Sequence, residues 1–257
     1  MHVAGGRPIM LSRCLAPPGA RTFGPMVLPD LSRTLAVRFS PRQVRVCDFD
    51  CVYCRTCKDR TRSCGGGWPT PGDIASEIAN TAYRYGPIDS ITIAGPGEPT
   101  LHPRFVGAVG AVVSEAMRLW PQARVRIFTT GAGLRRAAVR RVVNLLDERI
   151  ARVDAASDRI NRPDETLTPE EILANLALLK DLMVHSCFIG GELSNASDGD
   201  VAAWADQLAR LRPRRVSIYT VDSSFVGPEV LPLDLDRLEE IAMRLRQRIG
   251  CIPRILH

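Results

Sequence analysis

The sequence predicts an α/β protein, a partial (β/α)6 TIM-like barrel with parallel strands in a single domain. Short runs rich in β-branched residues recur about six times along the 257 residues, and a segment with helical periodicity follows each run. This alternation is typical of a parallel sheet with right-handed crossovers. No glycine fingerprint for dinucleotides follows any run, and six units are too few for the eight of a complete barrel.

The elements can be placed along the chain. The predicted strands are residues 34–40, 90–95, 124–130, 149–155, 184–190 and 215–221. The predicted helices are residues 71–85, 103–119, 133–147, 168–180, 198–211 and 234–249. The helix at Thr168 has the clearest start, because Thr168, Pro169 and Glu171 match a capping box. Residues 23–257 are expected to form the barrel domain. Residues 1–22 are expected to be a loosely ordered extension, without the apolar stretch of a signal peptide.

Composition limits the classes of protein to which the chain can belong. Hydrophobic residues make up 45% and charged residues 24% of the chain, which is ordinary for a globular protein with a core. No apolar run approaches the ~20 residues of a membrane span, so no membrane association is expected. The net charge of +6 and the pI of about 9.1 suit an anionic partner such as RNA or a phosphorylated substrate. An arginine-rich solvated surface is the favoured explanation, because no basic patch interleaved with aromatic residues appears.

Unusual residues follow every predicted strand. Ligands of parallel α/β folds bind at the carboxyl ends of the strands, which meet at one edge of the sheet. A cysteine-rich loop follows the first strand. The later strands are followed by GPGEP (95–99), TTGAG (129–133), DAASD (154–158), GGE (190–192) and VDSS (221–224). The sequence therefore predicts one site at this edge.

The segment CDFDCVYCRTC, residues 47–57, holds four of the eight cysteines of the chain. Disulfide scaffolds are typically shorter than ~100 residues, so the clustering indicates a reducing cytoplasm and a metal or cluster site. A zinc site needs four ligands, which Cys57 or Cys64 could complete. That alternative makes the chain a non-catalytic, zinc-stabilised binding module. Three thiolates on a four-iron cluster instead leave one iron open to a cofactor or substrate.

The spacing Cys47-x3-Cys51-x2-Cys54, with Tyr53 before the third cysteine, resembles the radical S-adenosylmethionine (SAM) superfamily. The sequence is similar to the branch of Fe–S oxidoreductases related to wyosine-type tRNA modification enzymes. Five stretches carry this resemblance: FGPMVLPDLSRTLAVRFSP, CDFDCVYCRTCKDRT, GPGEPTLHP, ARVDAASDRINRP and RRVSIYTVD. Two segments depart from the branch: VLPDLSRT stands where it often has an Arg–Arg pair, and DSS (222–224) where it often has Arg–Pro. The resemblance therefore supports a prediction of the reaction chemistry better than a prediction of the substrate.

The resemblance implies a ligand set, residue by residue. Cys47, Cys51 and Cys54 would hold a [4Fe–4S] cluster. The expected SAM contacts are Tyr53, Gly95, Gly97, Glu98, Thr130, Arg152, Asp154, Gly190 and Glu192. Among these, the Gly95–Glu98 motif meets the SAM amino group, and Arg152 pairs with the SAM carboxylate. No catalytic residue is assigned.

The resemblance also implies an activity and partners. The reduced cluster would cleave SAM to a 5′-deoxyadenosyl radical that takes hydrogen from a substrate. A reductant such as flavodoxin or ferredoxin would supply the electron. An RNA base, a peptide and a natural-product precursor all fit as substrate, and whether SAM is consumed or regenerated is open.

Other cysteines and histidines have structural interpretations. Cys57 and Cys64 could ligate a second cluster, but they would need a thiol from Cys14, Cys187 or Cys251. Cys187 is expected to be a buried core thiol, with a hydrogen-donating thiol inside the barrel as the alternative. His102 and His185 are expected to be hydrogen-bonded structural residues.

Overall fold

A computed structural model gives the arrangement of most of the chain. It describes residues 22–27, 32–41, 46–54, 67–84, 86–154, 156, 158–161, 163, 167–222 and 229–256. The predicted extension lies outside these residues except for Thr22, which begins the first strand. Cys14, Cys57, Cys64 and most of the DSS segment also lie outside them, so the second-cluster hypothesis stays a prediction.

Eight strands form one sheet in the order of the chain. They are β1 (Thr22–Val27), β2 (Arg33–Val37), β3 (Ser90–Ile93), β4 (Arg124–Thr129), β5 (Glu148–Arg152), β6 (Met183–Phe188), β7 (Arg215–Thr220) and β8 (Arg254–Leu256). β1 pairs with β2 antiparallel, whereas β2 to β8 are parallel throughout. The seven parallel strands curl into a half-barrel, which confirms the predicted partial TIM-like barrel.

Seven α-helices lie between the strands in the described residues. They are α1 (Pro71–Ala82), α2 (Phe105–Leu119), α3 (Ala137–Val143), α4 (Asp158–Asn161), α5 (Pro169–Leu176), α6 (Asp198–Leu211) and α7 (Leu235–Ile249). The predicted capping box at Thr168 is confirmed, since its hydroxyl accepts from the Glu171 N–H and the Glu171 carboxylate accepts from the Thr168 N–H. None of the helices in the described residues is long and apolar enough to cross a membrane.

The main core lies between the outer face of the sheet and the helices. Alternate strand residues point to this face, and Ile91, Ile127, Val184 and Ile218 are completely buried there. The helices contribute their apolar stripes, with Trp204 of α6 packed edge-on against Phe188 of β6 at 4.9 Å between ring centroids. The intervening strand residues face the hollow of the half-barrel, and many of them are polar.

Candidate active site at the carboxyl edge of the sheet

The cysteine loop is held by backbone hydrogen bonds to α4. The Asp50 N–H donates to the Asn161 carbonyl at 3.1 Å, and the Val52 N–H donates to the Ile160 carbonyl at 2.9 Å. Within the loop, the Cys54 N–H donates to the Cys51 carbonyl at 2.9 Å. These main-chain bonds fix the loop that carries the three cysteines against α4.

The turn after β3 holds the start of the cysteine loop. The Glu98 N–H donates to the Val46 carbonyl at 2.8 Å, one residue before Cys47. Gly97 has a φ of +94°, and a Cβ on it would lie 2.3 Å from that carbonyl oxygen. Gly95, with a φ of +140°, has the side chain of Arg38 3.4 Å from the position of its Cβ. The two glycines therefore allow the turn to lie close against neighbouring parts of the protein.

Glu98 is a buried hub between two strand ends. Its Oε1 accepts from the hydroxyls of Thr100 and Thr129, the latter at 2.5 Å. Its Oε2 accepts from the N–H of Thr130 at 2.7 Å and from the Thr130 hydroxyl at 3.1 Å. Burial raises the pKa of Glu98, and the hydrogen bonds from Thr100, Thr129 and Thr130 oppose that rise. The carboxylate and the predicted site residue Thr130 thus clamp the end of β3 to the end of β4.

Tyr53, Arg152 and Asp154 form a second polar cluster. Nη2 of Arg152 donates to the Tyr53 hydroxyl at 2.9 Å and to Asp154 Oδ2 at 3.3 Å, and the Tyr53 hydroxyl donates to the same carboxylate. The Arg152 guanidinium also lies 5.3 Å from the ring centroid of Tyr53 and 5.5 Å from that of Tyr219. Two of the predicted motifs therefore meet here, because Tyr53 belongs to the cysteine loop and Arg152 and Asp154 belong to the end of β5.

The charges of this cluster stabilise one another. Burial alone would lower the pKa of Arg152, but Asp154 and the two tyrosines hold it well above its usual value. The pKa of Tyr53 is also raised, because burial outweighs the attraction of Arg152. The Arg152 side chain keeps 31% of its surface exposed, so the cation is fixed in position and still open to an incoming anion.

Asn195 is a site residue that the sequence analysis missed. It is almost completely buried, and its side-chain amide donates to the carbonyls of Asp154 and Cys187 and accepts from the Ile189 N–H. Asp154 Oδ1 in turn accepts from the Cys187 N–H at 2.6 Å. Asn195 therefore joins the ends of β5 and β6. Nothing in the segment SNAS distinguishes it from an ordinary loop asparagine.

Cys187 lies near the end of β6, before the loop that holds Gly190 and Glu192. Cys187 is buried as expected, and burial raises the pKa of its thiol well above the usual value. Gly190 forms an isolated bridge with Leu231. Glu192 is exposed on the following turn, in which the Ser194 N–H donates to the Gly191 carbonyl. Neither Gly190 nor Glu192 contributes a side chain to the two polar clusters.

The sequence of this edge of the sheet matches a known protein family. The model of the radical SAM superfamily matches residues 43–193, more than half of the chain and every strand end from the cysteine loop to the GGE turn. The chain belongs to the radical SAM superfamily. The family implies a [4Fe–4S] cluster, SAM and a reductant.

Individual relatives are distant. A UPF0026 protein of Helicobacter pylori is 24% identical over 218 residues, which are 81% of this chain and 69% of that protein. A GTPase Obg of Brachyspira hyodysenteriae is 31% identical over 83 residues, and the chain spans only 12% of its length.

Solved structures share the fold. A radical SAM methyltransferase from Sphaerobacter thermophilus is similar with a TM-score of 0.64 and 16% identity, covering 90% of this chain and 67% of that one. Streptococcus suis SuiB bound to precursor peptide SuiA is similar with a TM-score of 0.60 and 14% identity, covering 88% of this chain and 49% of SuiB. At these identities the likeness concerns the fold alone.

The residues on the cysteine loop fit an iron–sulfur cluster. Their donor set is three thiols, which are soft ligands. Burial, and then the charge of Asp154, raise the pKa of Cys51 to about 12, so a thiolate there needs a bound metal to replace its proton. Among the described residues, no three His, Cys, Asp or Glu side chains are gathered to hold a single metal ion. A cluster is larger, and it takes each thiolate at a different iron.

Proposed function

We propose that the chain binds a [4Fe–4S] cluster through Cys47, Cys51 and Cys54 and holds SAM at the neighbouring strand ends. When bound, the cluster supplies the electron that cleaves SAM to a 5′-deoxyadenosyl radical, which abstracts hydrogen from the substrate. The observation that carries the proposal is the placement of a fixed three-thiol loop beside the Arg152–Asp154–Tyr53 cluster.

Arg152 is suited to the carboxylate of SAM. Its guanidinium is oriented by Asp154 and by two aromatic rings while remaining partly exposed, and an arginine pairs with a carboxylate through two parallel hydrogen bonds. Asp154 and Tyr53 act through Arg152, because they fix its position and charge. We assign the SAM carboxylate to this side of the site.

The amino group of SAM is assigned to the turn at Gly95–Glu98. The Glu98 carboxylate already accepts from three threonines, so the acceptors offered to an ammonium are main-chain carbonyl oxygens of the turn. Gly97 and Glu98 are positioning residues, since they hold the turn against both the cysteine loop and β4. Gly190 and Glu192 would contact SAM only through the backbone of their turn.

The substrate class is not selected by the fold. One similar structure is of a methyltransferase and another was bound to a precursor peptide. An RNA base, a peptide and a natural-product precursor stay within the proposal, as does a reductant such as flavodoxin or ferredoxin. The second candidate function, a zinc-stabilised binding module, is less well supported, because the matching family implies a cluster and SAM. Its fourth ligand would be Cys57 or Cys64, which lie outside the described residues.

Reconstitution under anaerobic conditions tests the proposal. The protein should turn brown, contain about four irons per chain, and form 5′-deoxyadenosine from SAM with dithionite. Replacing any one of Cys47, Cys51 and Cys54 with alanine should remove most of the iron and all cleavage. Cys251→Ala is the matched control, since Cys251 packs beside the main core. A Cys51→Ala protein that kept four irons and cleaved SAM would overturn the ligand assignment.

A double variant tests for a second cluster. On the single-cluster proposal, Cys57→Ala/Cys64→Ala keeps about four irons per chain. A parent with roughly twice the iron of this variant would instead establish an auxiliary cluster.

A further inference from the structure

The inner face of the half-barrel carries more arginine than carboxylate. Side chains alternate along a strand, so the partners of the outward core residues point into the hollow. Six described arginines point inward. Arg38 directly follows β2, and the other five lie in strands: Arg124, Arg126, Arg152, Arg215 and Arg254. On the described part of this face, the carboxylates are Glu148 and Asp154. The concave surface is therefore positive, and a concave surface focuses the field of its charges.

The two carboxylates lie at opposite ends of the strands. Glu148, at the beginning of β5, pairs with Arg124 at 2.7 Å and with Arg126 at 3.2 Å. Asp154, after the end of β5, pairs with Arg152. Arg215 begins β7, and Arg254 lies beside Ser217 in the β7–β8 register. Both side chains are exposed, so solvent reaches two arginines on the β7–β8 side of the face.

His185 lies among these arginines and responds to their field. It is in register with Arg152 on β5 and with Ser217 on β7, and its ring packs edge-on against Phe128 at 5.2 Å. Burial lowers the pKa of His185 to about 3, with repulsion from Arg152, Arg126, Arg254 and Arg215 adding to the effect. The imidazole thus stays neutral, and the positive charges of four arginines act on it.

We propose that this inner face binds an oxyanion of the substrate, a phosphate or a carboxylate group, through Arg215 and Arg254 beside His185. The inference rests on the proposed function, because it places the substrate on the face that adjoins the SAM position at Arg152, and it adds the chemical class of the substrate. Guanidinium groups suit either oxyanion through bidentate hydrogen bonds. Neutral His185 adds a hydrogen-bonding group without adding charge.

Binding of inorganic phosphate and of malonate to the full chain tests the proposal. Isothermal titration at constant ionic strength would compare the parent with Arg215→Gln/Arg254→Gln. Loss of two charge-assisted contacts should weaken binding at least about ten-fold. Arg210→Gln/Arg246→Gln is the matched control, because it removes two exposed arginines from the outer helices α6 and α7. The control should bind like the parent.

The outcomes separate this inference from the proposed function. Equal weakening in both double variants, or none in Arg215→Gln/Arg254→Gln, would overturn it. If Arg152→Ala lost binding and Arg215→Gln/Arg254→Gln did not, the anion would bind at the SAM carboxylate position, and the inference would be overturned. Stronger binding of phosphate than malonate would identify a phosphorylated substrate, and the reverse a carboxylate. Cleavage of SAM in the absence of substrate is measured separately, so its failure leaves the anion result standing.

Discussion

Gly97 approaches Val46 so closely that no side chain fits between them. A Cβ on Gly97 would lie 2.3 Å from the Val46 carbonyl oxygen and 3.1 Å from its carbonyl carbon and amide nitrogen. The same carbonyl accepts from the Glu98 N–H. The turn after β3 and the beginning of the cysteine loop therefore form one unit, in which the glycine motif positions the cysteine motif.

Gly97→Ala should disrupt this unit and weaken the cluster. The methyl group must displace Val46, which precedes Cys47, and alanine is disfavoured at a φ of +94°. We expect a loss of reconstituted iron, measured by iron analysis and visible absorption. Gly110→Ala is the control, because Gly110 lies in α2 with open space around its Cβ position, and alanine there favours the helix by about 1 kcal/mol. Full iron in Gly97→Ala would show that the loop tolerates displacement.

Glu98→Gln should lower the stability of the folded protein, because the Glu98 carboxylate joins the ends of β3 and β4. The amide nitrogen of glutamine would face hydrogen-bond donors from Thr100, Thr129 or Thr130. A buried donor without an acceptor costs about 1–3 kcal/mol, so the melting temperature should fall by several degrees. Glu192→Gln is the matched control on an exposed turn. Equal melting temperatures for the two variants would contradict the clamp between β3 and β4.

The fold could be predicted from the sequence because its main signals are local. Each of the six predicted strands overlaps one of β2 to β7, and the capping box at Thr168 is present. β1 was missed because its sequence TFGPMV contains glycine and proline, which lower strand propensity, and they are tolerated in this antiparallel edge strand. β8 has only three residues. β1 lacks the alternation that a pattern can detect, and β8 lacks the length.

The sequence predicted several residues of the site but not their hydrogen-bond partners. The motif at residues 95–99 marked Glu98 as a site residue, but its threonine partners come from the pairing of β3 with β4. Similarly, Asn195 lies far along the chain from Asp154, and the two meet only because β5 and β6 are adjacent. Such contacts depend on register and on loop conformation, which short sequence patterns do not encode.

Arg152→Ala should bind SAM weakly while retaining its cluster. The cluster ligands are thiolates, and none of them needs the guanidinium, whereas the SAM carboxylate would lose a charge-assisted partner. Such a loss costs roughly 1.5–3 kcal/mol, which is about a ten- to hundred-fold loss of affinity. Equilibrium dialysis of SAM with reconstituted protein measures it. Arg118→Ala, on the outer helix α2, should leave affinity unchanged. Parental affinity in Arg152→Ala would make Arg152 a structural residue of the Tyr53–Asp154 cluster.

His185 should make the folded protein sensitive to acid in a defined window. Its pKa is about 3 in the folded chain and about 6.5 in an unfolded one. Below pH 6.5 the unfolded state binds the additional proton, so stability falls as the pH falls towards 3. At pH 5 this amounts to at most about 2 kcal/mol, reduced by the partial exposure of the ring. Urea unfolding at pH 7 and pH 5 measures the fall.

His185→Gln should lose less stability than the parent between pH 7 and pH 5. The other described histidine, His102, also has a lowered pKa, mainly through burial, and it contributes with the same sign in parent and variant alike. The difference between the two proteins therefore isolates His185. An NMR titration gives the same quantity directly, since the His185 imidazole should show no protonation between pH 8 and pH 5. Protonation near pH 6.5, with equal acid sensitivity in His185→Gln, would mean that neither burial nor the arginines of the inner face lower the pKa of this ring.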